Sequence, residues 1–432
     1  MFDESIDATG CVCDEGWQGQ GCTIPIAPDA SAPTSDPLGS NADPAPSTSD
    51  KGGMVALWVC VVIVLVLALI IFVYFYRRSR RTAQYGSEDN PIALKARTDM
   101  NWDGIDEIQQ GASFTRGDYG QPATLETKNL GVEEAATEMI VSKQEQIEAL
   151  ESKLRMTEDQ KSAPYKDEFR VIPKKKVTAT FRAANADENR RKNRYKDIHP
   201  YDDTRVKLVS EDNDYINANH LSMNAANKTF WFIAAQGPLP HTCGDFWQMT
   251  WEQGSRMIVM VAAETENGMV KCEKYWPEVE GDAGALTFGD FRVTLTRIAA
   301  NEAYAIRGIR LRNLKTNEKR TVWQLQYTSW PDHGVPRSCS AFLAFVDEVR
   351  SVRTRLMGEV EQPLWPTLAH CSAGIGRTGV LIMIELCLAK LEHGLLPDLG
   401  AMLSELREQR PSLVQTVDQY RFCYQALLQA LR

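Results

Sequence analysis

Residues 370–379 read HCSAGIGRTG, and this short stretch admits two different interpretations. Its three glycines spell G-x-G-x-x-G, the pattern of a turn that binds a dinucleotide. Cys371 and Arg377 spell C-x5-R, which puts a nucleophile and a phosphate-binding cation on one loop. Both interpretations surround a phosphate with backbone N–H groups, but only the second one can break a bond. The flanking sequence decides between them.

The dinucleotide interpretation fails on the sequence after the loop. Such a turn follows a strand, opens a helix and leads to a second strand that carries an acid about 20 residues on. Residues 366–370 (PTLAH) can form the strand and residues 378–391 (TGVLIMIELCLAKL) the helix. Residues 394–432, however, favour helix almost throughout, so no second strand is expected there. We therefore predict no dinucleotide and no other cofactor.

The C-x5-R interpretation gives the same loop a reaction. A strand that ends at His370, a loop of small residues and a helix that begins near Arg377 would direct successive N–H groups at one dianion. The same field would lower the pKa of Cys371, so that its thiolate could attack phosphorus. C-x5-R alone is a weak signal in a chain with ten cysteines. The alternative, an inert buried cysteine in a glycine-rich turn, stays open at this point.

A phosphoryl transfer to Cys371 also needs a proton for the leaving oxygen. Residues 330–336 (WPDHGVP) offer Asp332 on a turn bounded by Pro331 and Gly334, as in a loop that closes over substrate. Asp next to Pro is equally common as a turn-former. Position alone leaves both interpretations of Asp332 open.

Residues 54–76 (MVALWVCVVIVLVLALIIFVYFY) predict a transmembrane helix. They form 23 residues without a charge, about 34 Å as a helix, which exceeds the span of a bilayer core. RRSRR at residues 77–81 follows directly, and the positive-inside bias then places the C-terminal part in the cytoplasm. A buried core helix is the less favoured alternative. We expect a single-pass type I protein, with its N-terminus outside, in the plasma membrane.

The extracellular part is short. Residues 1–24 contain CVCDEGWQGQGC, which resembles the C-terminal half of an EGF-like module, and this resemblance suggests a disulfide between Cys13 and Cys22. Cys11 is then either a spare thiol or a sign that a longer receptor is truncated. Residues 25–53 are rich in Pro, Ser and Asp and predict an extended stalk. An extracellular ligand is expected, but its identity is unknown.

Residues 77–164 predict a cytoplasmic juxtamembrane linker. Tyr85 and Tyr119 are candidate phosphorylation sites within it, although solvated linker tyrosines are the simpler interpretation. A helical segment spans residues 133–160, with Ile140, Ile147 and Leu154 in heptad spacing. Two heptads are too few for a coiled coil. We expect a solvated helix, with dimerisation through its apolar stripe as the minority hypothesis.

Residues 165–432 have the composition of one globular domain. Residues 230–238, 256–264 and 320–330 predict apolar strands, and residues 341–356 and 379–394 predict helices. The domain carries 35 Lys and Arg against 32 Asp and Glu, a net charge of +3, which excludes a nucleic-acid footprint. Its six dispersed cysteines have no metal-ligand spacing, so we expect reduced, mostly buried thiols and no metal site.

Eight motifs follow one another along this domain: KNRYKDI, NDYINAN, AAQGPLP, DFWQMTWE, KCEKYWP, WPDHGVP, HCSAGIGRTG and LVQTVDQY. They resemble the motifs of the tyrosine-specific cysteine phosphatases, and they occur in that family's order. With a membrane span and an EGF-like remnant, the chain looks like a receptor-type protein tyrosine phosphatase with one catalytic domain. The resemblance implies a single α/β domain with a twisted mixed sheet flanked by helices, beside the one transmembrane helix.

The resemblance implies catalytic roles around the loop. Cys371 would form a phosphocysteine, and Arg377 would bind two phosphate oxygens bidentately. Thr378 would donate a hydrogen bond to the Cys371 sulfur, and His370 would tune the pKa of the thiol. The rest of the loop would bind the phosphate: Ser372, Ala373, Gly374, Ile375 and Gly376.

It also implies roles for residues that act on the leaving group and on water. Asp332 would protonate the tyrosine oxygen and then act as the base for the water that hydrolyses the intermediate. Gln415, and secondarily Gln419, would position that water.

Four further residues would recognise the substrate or support the site. Tyr195 would wall a pocket deep enough for phosphotyrosine, and Asp197 would hold the substrate backbone. Glu266 would brace Arg377, and Lys271 would contact the closed Asp332 loop.

Three functions stay open after this comparison. The favoured one is an active phosphatase of phosphotyrosine proteins, because the nucleophile, the arginine, the acid, the pocket tyrosine and the glutamine are all present. A catalytically inactive phosphotyrosine-binding domain usually lacks the acid or the tyrosine. An adhesion receptor cannot be argued from so short an extracellular part.

Overall fold

The computed structural model describes residues 17–18, 24–25, 140–156, 162–210, 212–331, 334–358 and 365–432. The predicted membrane span, the stalk, Cys13, Cys22, Tyr85, Tyr119 and Asp332 lie outside these residues. The chain divides into two units, residues 1–89 and residues 90–432. In the first unit the described residues form one antiparallel pair, β1 (Trp17–Gln18) with β2 (Ile24–Pro25).

The second unit is built on a nine-stranded mixed sheet in the order β3-β4-β5-β13-β6-β12-β11-β10-β9. β5, β13, β6 and β12 run parallel in the middle, and antiparallel strands flank them on both sides. The separate hairpin β7–β8 lies outside this sheet. The strands are β3 (Arg205–Lys207), β4 (Tyr215–Ala225), β5 (Lys228–Ala235), β6 (Met257–Met260), β7 (Thr265–Glu266), β8 (Met269–Val270), β9 (Leu286–Phe288), β10 (Phe291–Ala300), β11 (Tyr304–Asn313), β12 (Lys319–Tyr327) and β13 (Thr367–His370).

Helices cover the two faces of the sheet, and short 3₁₀ turns occur at Pro240–Thr242 and Asp282–Gly284. The helices are α1 (Lys143–Leu154), α2 (Pro164–Val171), α3 (Arg182–Asn185), α4 (Asp187–Arg190), α5 (Cys243–Glu252), α6 (Cys339–Met357), α7 (Gly376–Glu392), α8 (Leu399–Gln409) and α9 (Val417–Leu431).

The central strands have two buried faces, and this explains their composition. β6 reads Met-Ile-Val-Met, and all four residues are fully buried. Met257 and Val259 enter the larger core with α6, α7 and α9, whereas Ile258 and Met260 enter a second core with α5. A strand covered on both sides is continuously apolar rather than alternating. The same burial surrounds β13, so the strand that leads to Cys371 is held in the middle of the sheet.

The structure confirms the predicted α/β architecture of residues 165–432. The three predicted strands correspond to β5, β6 and β12, the two predicted helices to α6 and α7, and the segment after α7 is helical. The six cysteines of the described region are all free thiols, and five of them are buried.

The helical segment of the linker differs from expectation, because α1 packs against the domain instead of being solvated. Leu150 is 2 % exposed, and the buried Gln146 side chain donates to the carbonyls of Leu391 and Leu395. Ile147 and Leu154 pack against the same core. The expectation of a solvated helix is therefore wrong. Of the apolar stripe considered for dimerisation, Ile147 and Leu154 are covered within the chain, whereas Ile140 precedes α1 and is 77 % exposed.

Among the described helices, none is both long and apolar enough to cross a bilayer.

Candidate active site

The Cys371 loop lies between the central strand β13 and the N-terminus of α7. Cys371 is 4 % exposed, and the Gly374 N–H donates to its Sγ at 3.3 Å. Gly374 has φ +70, and a Cβ there would lie 2.0 Å from the Ala235 carbonyl oxygen. Gly379 is as restricted, because a Cβ would lie 2.4 Å from Val414 N. Glycine therefore lets this loop fold tightly between β5 and the segment before α9.

Arg377, on the first turn of α7, is held by a carboxylate. Its Nη1 and Nη2 contact the two oxygens of Glu266, with Nη2–Oε2 at 2.9 Å. Glu266 is 8 % exposed and stands on β7, so the β7–β8 hairpin fixes the guanidinium. Nη2 also lies 3.4 Å from the Pro331 carbonyl. The expected brace between Glu266 and Arg377 is thus present, and it fixes the plane of the guanidinium beside the loop.

Tyr195 is joined to the loop through a serine. Its Oη lies 2.8 Å from Ser372 Oγ, which in turn donates to the Lys271 carbonyl at 2.8 Å. The Tyr195 side chain therefore lies against the loop, while its role as the wall of a phosphotyrosine pocket stays a prediction. Asp197, two residues later in the chain, is exposed.

His370 is fully buried directly before Cys371 in the chain. Its Nδ1 lies 3.1 Å from the Cys371 carbonyl oxygen, and its Nε2 lies 2.7 Å from Tyr275 Oη. Burial lowers the pKa of His370 to about 4. The imidazole is consequently neutral at physiological pH, and it touches the Cys371 backbone rather than its sulfur.

The expected hydrogen bond between Thr378 and the Cys371 sulfur is not formed in this structure. The Thr378 hydroxyl is fully buried, and within the described part of the chain its oxygen has no hydrogen-bond partner. The Gly374 N–H is the donor to Sγ instead. A buried hydroxyl without a hydrogen-bond partner raises the free energy of the folded state. A sulfur or a ligand that accepts a hydrogen bond from Thr378 would remove this cost.

Gln415 and Gln419 converge on the start of α7. The side-chain oxygen of Gln419 accepts from Gln415 N at 2.8 Å. A Cβ on Gly376 would lie 2.9 Å from Gln419 Nε2 and 3.2 Å from Gln415 Oε1. Gln419 is nearly buried and Gln415 is exposed. The two amides expected to orient water are therefore both placed beside the loop.

Asp332 lies outside the described residues, and so does the contact expected between its loop and Lys271. The neighbouring Pro331 is described, and its carbonyl reaches Arg377.

Two arginines of this site were missed from the sequence. Arg410 is fully buried and donates to the carbonyls of Gly374 (2.8 Å) and Ala373 (3.2 Å), and to the side chains of Asn219 and Asn217. Burial lowers the pKa of Arg410 to about 10. Its guanidinium turns two loop carbonyls away from the pocket, so a positive charge lies directly behind the N–H groups.

Arg194 is the second missed residue, and it positions Tyr195. Its guanidinium donates to the carbonyls of Gly237 (3.0 Å), Pro238 (2.5 Å) and Val270 (3.2 Å). The residue stands within the KNRYKDI motif, which was the only signal for it. Arg410 had no sequence signal.

The donor set of this site suits an anion. Arg377, Arg410 and the loop N–H groups are donors only, and the carboxylate of Glu266 is occupied by Arg377. In the residues that the structure describes, no three His, Cys, Asp or Glu side chains are grouped as metal ligands.

Comparisons with known proteins agree with this geometry. Residues 189–429 match the family described as protein-tyrosine phosphatase. Human tyrosine-protein phosphatase non-receptor type 14 is 44 % identical over 273 residues, which are 61 % of this chain and 23 % of that protein. Human non-receptor type 4 is 44 % identical over 282 residues, 64 % of this chain and 29 % of that protein. Rat tyrosine-protein phosphatase non-receptor type 21 is 44 % identical over 268 residues, which are 61 % of this chain and 23 % of that protein. The match thus spans less than a third of the length of these relatives.

Proposed function

This chain belongs to the protein-tyrosine phosphatase family, and we propose that it hydrolyses phosphotyrosine in proteins through a phosphocysteine on Cys371. The single observation that carries the proposal is the arrangement of the Cys371 loop. A buried thiol lies at the N-terminus of α7, with an N–H directed at its sulfur and the fork of Arg377 fixed by Glu266. This arrangement can hold a phosphate dianion against a nucleophile.

In the first step the Cys371 thiolate attacks phosphorus, and the bond to the tyrosine oxygen breaks. Arg377 and the loop N–H groups balance the charge on the equatorial oxygens. Asp332 donates a proton to the leaving phenolate, which would otherwise leave slowly. Tyr195 favours an aryl phosphate, because its ring lines the approach to Ser372 and a short seryl phosphate would not reach the sulfur.

In the second step water attacks the phosphocysteine and inorganic phosphate leaves. The unprotonated Asp332 accepts the proton of that water, and the side chains of Gln415 and Gln419 orient it beside Gly376. The sulfur departs as a thiolate. Thr378, whose buried hydroxyl has no partner in the described structure, can then donate to this sulfur.

We further propose that residues 1–53 are extracellular, residues 54–76 span the plasma membrane and residues 165–432 are the cytoplasmic catalytic domain. The 23 uncharged residues followed by RRSRR support this topology. The relatives named above are called non-receptor types, but the family match begins only at residue 189. An EGF-like segment with a Cys13–Cys22 disulfide would then face an extracellular ligand. Glycosylation-site insertion on either side of residues 54–76 tests the topology, since only an extracellular site would be modified.

The activity is tested on the full chain in detergent, with a phosphotyrosine peptide and a matched phosphoserine peptide in the presence of EDTA. We expect release of phosphate from the first peptide only. Cys371→Ser should abolish turnover, and Cys339→Ser, at a half-buried thiol on α6, should retain it. Asp332→Ala should lower kcat far more than it changes the affinity, because it removes a proton donor of the transition state.

A purely phosphotyrosine-binding domain predicts a different result. It would bind the peptide in the native chain and in Cys371→Ser alike, without turnover in either. That result would refute the proposed reaction and leave only the binding function.

A further inference from the structure

A row of buried polar groups leads from the back of the catalytic loop to β11. The Cys371 carbonyl contacts His370, His370 contacts Tyr275 Oη, and Gln324 Nε2 lies 2.9 Å from the same Oη. Gln324 Oε1 lies 3.1 Å from Arg307 Nη1. His370, Tyr275 and Gln324 are all fully buried. The row therefore consists of four consecutive hydrogen bonds, of which the three nearest the loop are buried and the one to Arg307 is partly buried.

The direction of these four bonds is set at the arginine end. A guanidinium only donates, so Gln324 must turn its oxygen to Arg307 and its NH₂ group to Tyr275. Tyr275 Oη thus accepts from Gln324, and its one proton is left for His370 Nε2. If Nε2 carried a proton instead, the Tyr275 proton would be buried without an acceptor, which is costly. Nε2 is therefore the bare nitrogen.

A neutral imidazole with a bare Nε2 carries its proton on Nδ1. The low pKa of His370, about 4 because of burial, keeps the ring neutral. The Nδ1–H then donates to the Cys371 carbonyl at 3.1 Å. That carbonyl is further confined by Gly237, where a Cβ would lie 2.7 Å from it. Because the peptide is trans, the Ser372 N–H points away from His370.

We propose that Arg307 and Gln324 are positioning residues that hold His370 in its Nδ1–H tautomer, and through it fix the backbone of the nucleophile. Arg307 is itself held by a cation–π contact with Trp276 at 4.8 Å. The row thus connects a guanidinium on β11 with the peptide that follows Cys371. Its consequence for turnover rests on the proposed function, whereas the tautomer does not.

The test replaces the side-chain nitrogen of Gln324 by oxygen, which should reverse the direction of the hydrogen bonds between it and His370. In Gln324→Glu the new carboxylate still accepts from Arg307 but cannot donate to Tyr275, so the Tyr275 proton turns towards it. Tyr275 Oη then accepts from His370 Nε2–H, and Nδ1 loses its proton. Gln326→Glu is the matched control, because Gln326 lies on the same strand and also accepts from Arg307, at 2.9 Å, but its amide donates to the Ala262 carbonyl.

The readout is the tautomer itself. The full chain is labelled with ¹⁵N at its six histidines, and the signals of His370 are identified by their loss in His370→Asn. We expect a proton on Nδ1 in the native chain and in Gln326→Glu, and a proton on Nε2 in Gln324→Glu. A native proton on Nε2, or no change in Gln324→Glu, would overturn the proposal.

Activity and a second variant complete the test. Loss of one directed hydrogen bond should lower kcat/KM of Gln324→Glu about tenfold. If this variant does not fold, Arg307→Met carries the test: without the obligatory donor the amide of Gln324 can turn, and both tautomers should appear. A single Nδ1–H tautomer in Arg307→Met would overturn the role of the arginine. A native chain with the expected tautomer but no turnover would refute the proposed function alone.

Discussion

The buried Arg410 offers the sharpest test of how the loop binds an anion. The perturbation is Arg410→Met, which keeps the apolar stem and removes the guanidinium. Four acceptors lose their donor: the carbonyls of Ala373 and Gly374 and the side chains of Asn217 and Asn219. No carboxylate pairs with Arg410 among the described residues, so the substitution leaves no buried anion behind.

The magnitude follows from two opposing contributions. Hydrogen bonds from a charged donor contribute at least about 1.5 kcal/mol each, so four of them contribute about 6 kcal/mol. Burial of the cation opposes this, since the fall in the pKa of Arg410 from 12.5 to about 10 corresponds to about 3 kcal/mol. We therefore expect Arg410→Met to lower the free energy of unfolding by about 3 kcal/mol.

The functional readout is the inhibition constant of inorganic phosphate at neutral pH, measured beside urea unfolding. Arg410→Met should weaken phosphate binding at least about tenfold, because the two loop carbonyls are free to turn towards the anion. Arg410→Lys should lose nearly as much, since an ammonium cannot reach all four acceptors. The control is Arg407→Met: Arg407 is as buried, but its guanidinium donates to the carbonyls of Ile172, Pro173, Leu413 and Val414.

Three outcomes would refute this reasoning about Arg410. Native phosphate affinity in Arg410→Met would mean that the guanidinium does not orient the loop. Native affinity in Arg410→Lys would mean that charge alone is sufficient. An equal loss of phosphate affinity in Arg407→Met would mean that loss of stability, and not the orientation of the loop, weakens binding.

Three further predictions concern stability and the loop. Gly374→Ala should abolish phosphate binding and cost well over the roughly 1–2 kcal/mol of a left-handed residue, because its Cβ meets the Ala235 carbonyl. Gly254→Ala, at φ +64 just after α5 and with open space around it, should show in urea unfolding only the backbone cost. His370 should make the protein acid-sensitive: between pH 6.5 and about 4 the unfolded chain binds a proton that the folded chain excludes, so stability falls as pH falls, by up to about 3 kcal/mol, and not above pH 6.5. We measure the free energy of unfolding between pH 7 and 4. Its slope against pH should be smaller in His370→Asn than in the native chain, by the equivalent of about one proton. An unchanged slope would contradict a neutral buried imidazole. Leu150→Ala should lower the free energy of unfolding by about 2–5 kcal/mol, because α1 packs on the domain. Ile140→Ala, at a side chain that is 77 % exposed, should lower it by under about 0.5 kcal/mol. Thermal unfolding measures both, and equal effects would mean that α1 is solvated.

The sequence was sufficient where the chemistry is local. Cys371 and Arg377 stand six positions apart on one loop, and the strand before it and the helix after it have distinct apolar patterns. Arg410 could not be found in this way, because an arginine at the end of a helix is ordinarily predicted to be exposed to solvent. Its burial depends on Asn217 and Asn219, the former 193 residues away along the chain, and no local pattern contains that pairing.

The linker helix shows the opposite error. The heptad spacing of its apolar residues is too short to predict a coiled coil, and a solvated helix is then the simplest expectation. Ile147, Leu150 and Leu154 are also spaced as one helical face, and that face packs on the C-terminal helices. A short amphipathic stripe indicates that something covers it, but the covering surface belongs to α7 and α9, more than two hundred residues later. Tertiary packing decided what the pattern left open.

The place of β13 in the sheet has a consequence for biosynthesis. β5 and β6 are not paired with each other; β13 lies between them and bonds to both, with Ala369 opposite Ala234 on one side and Val259 on the other. A ribosome makes β13 last of all the strands described, so the two halves of the sheet wait for residues 367–370 to join them. Pairings between strands that are far apart in the sequence form slowly. A nascent chain therefore exposes two open strand edges until Cys371 itself emerges, and the hydrolysis proposed for its loop can begin only when the fold is complete.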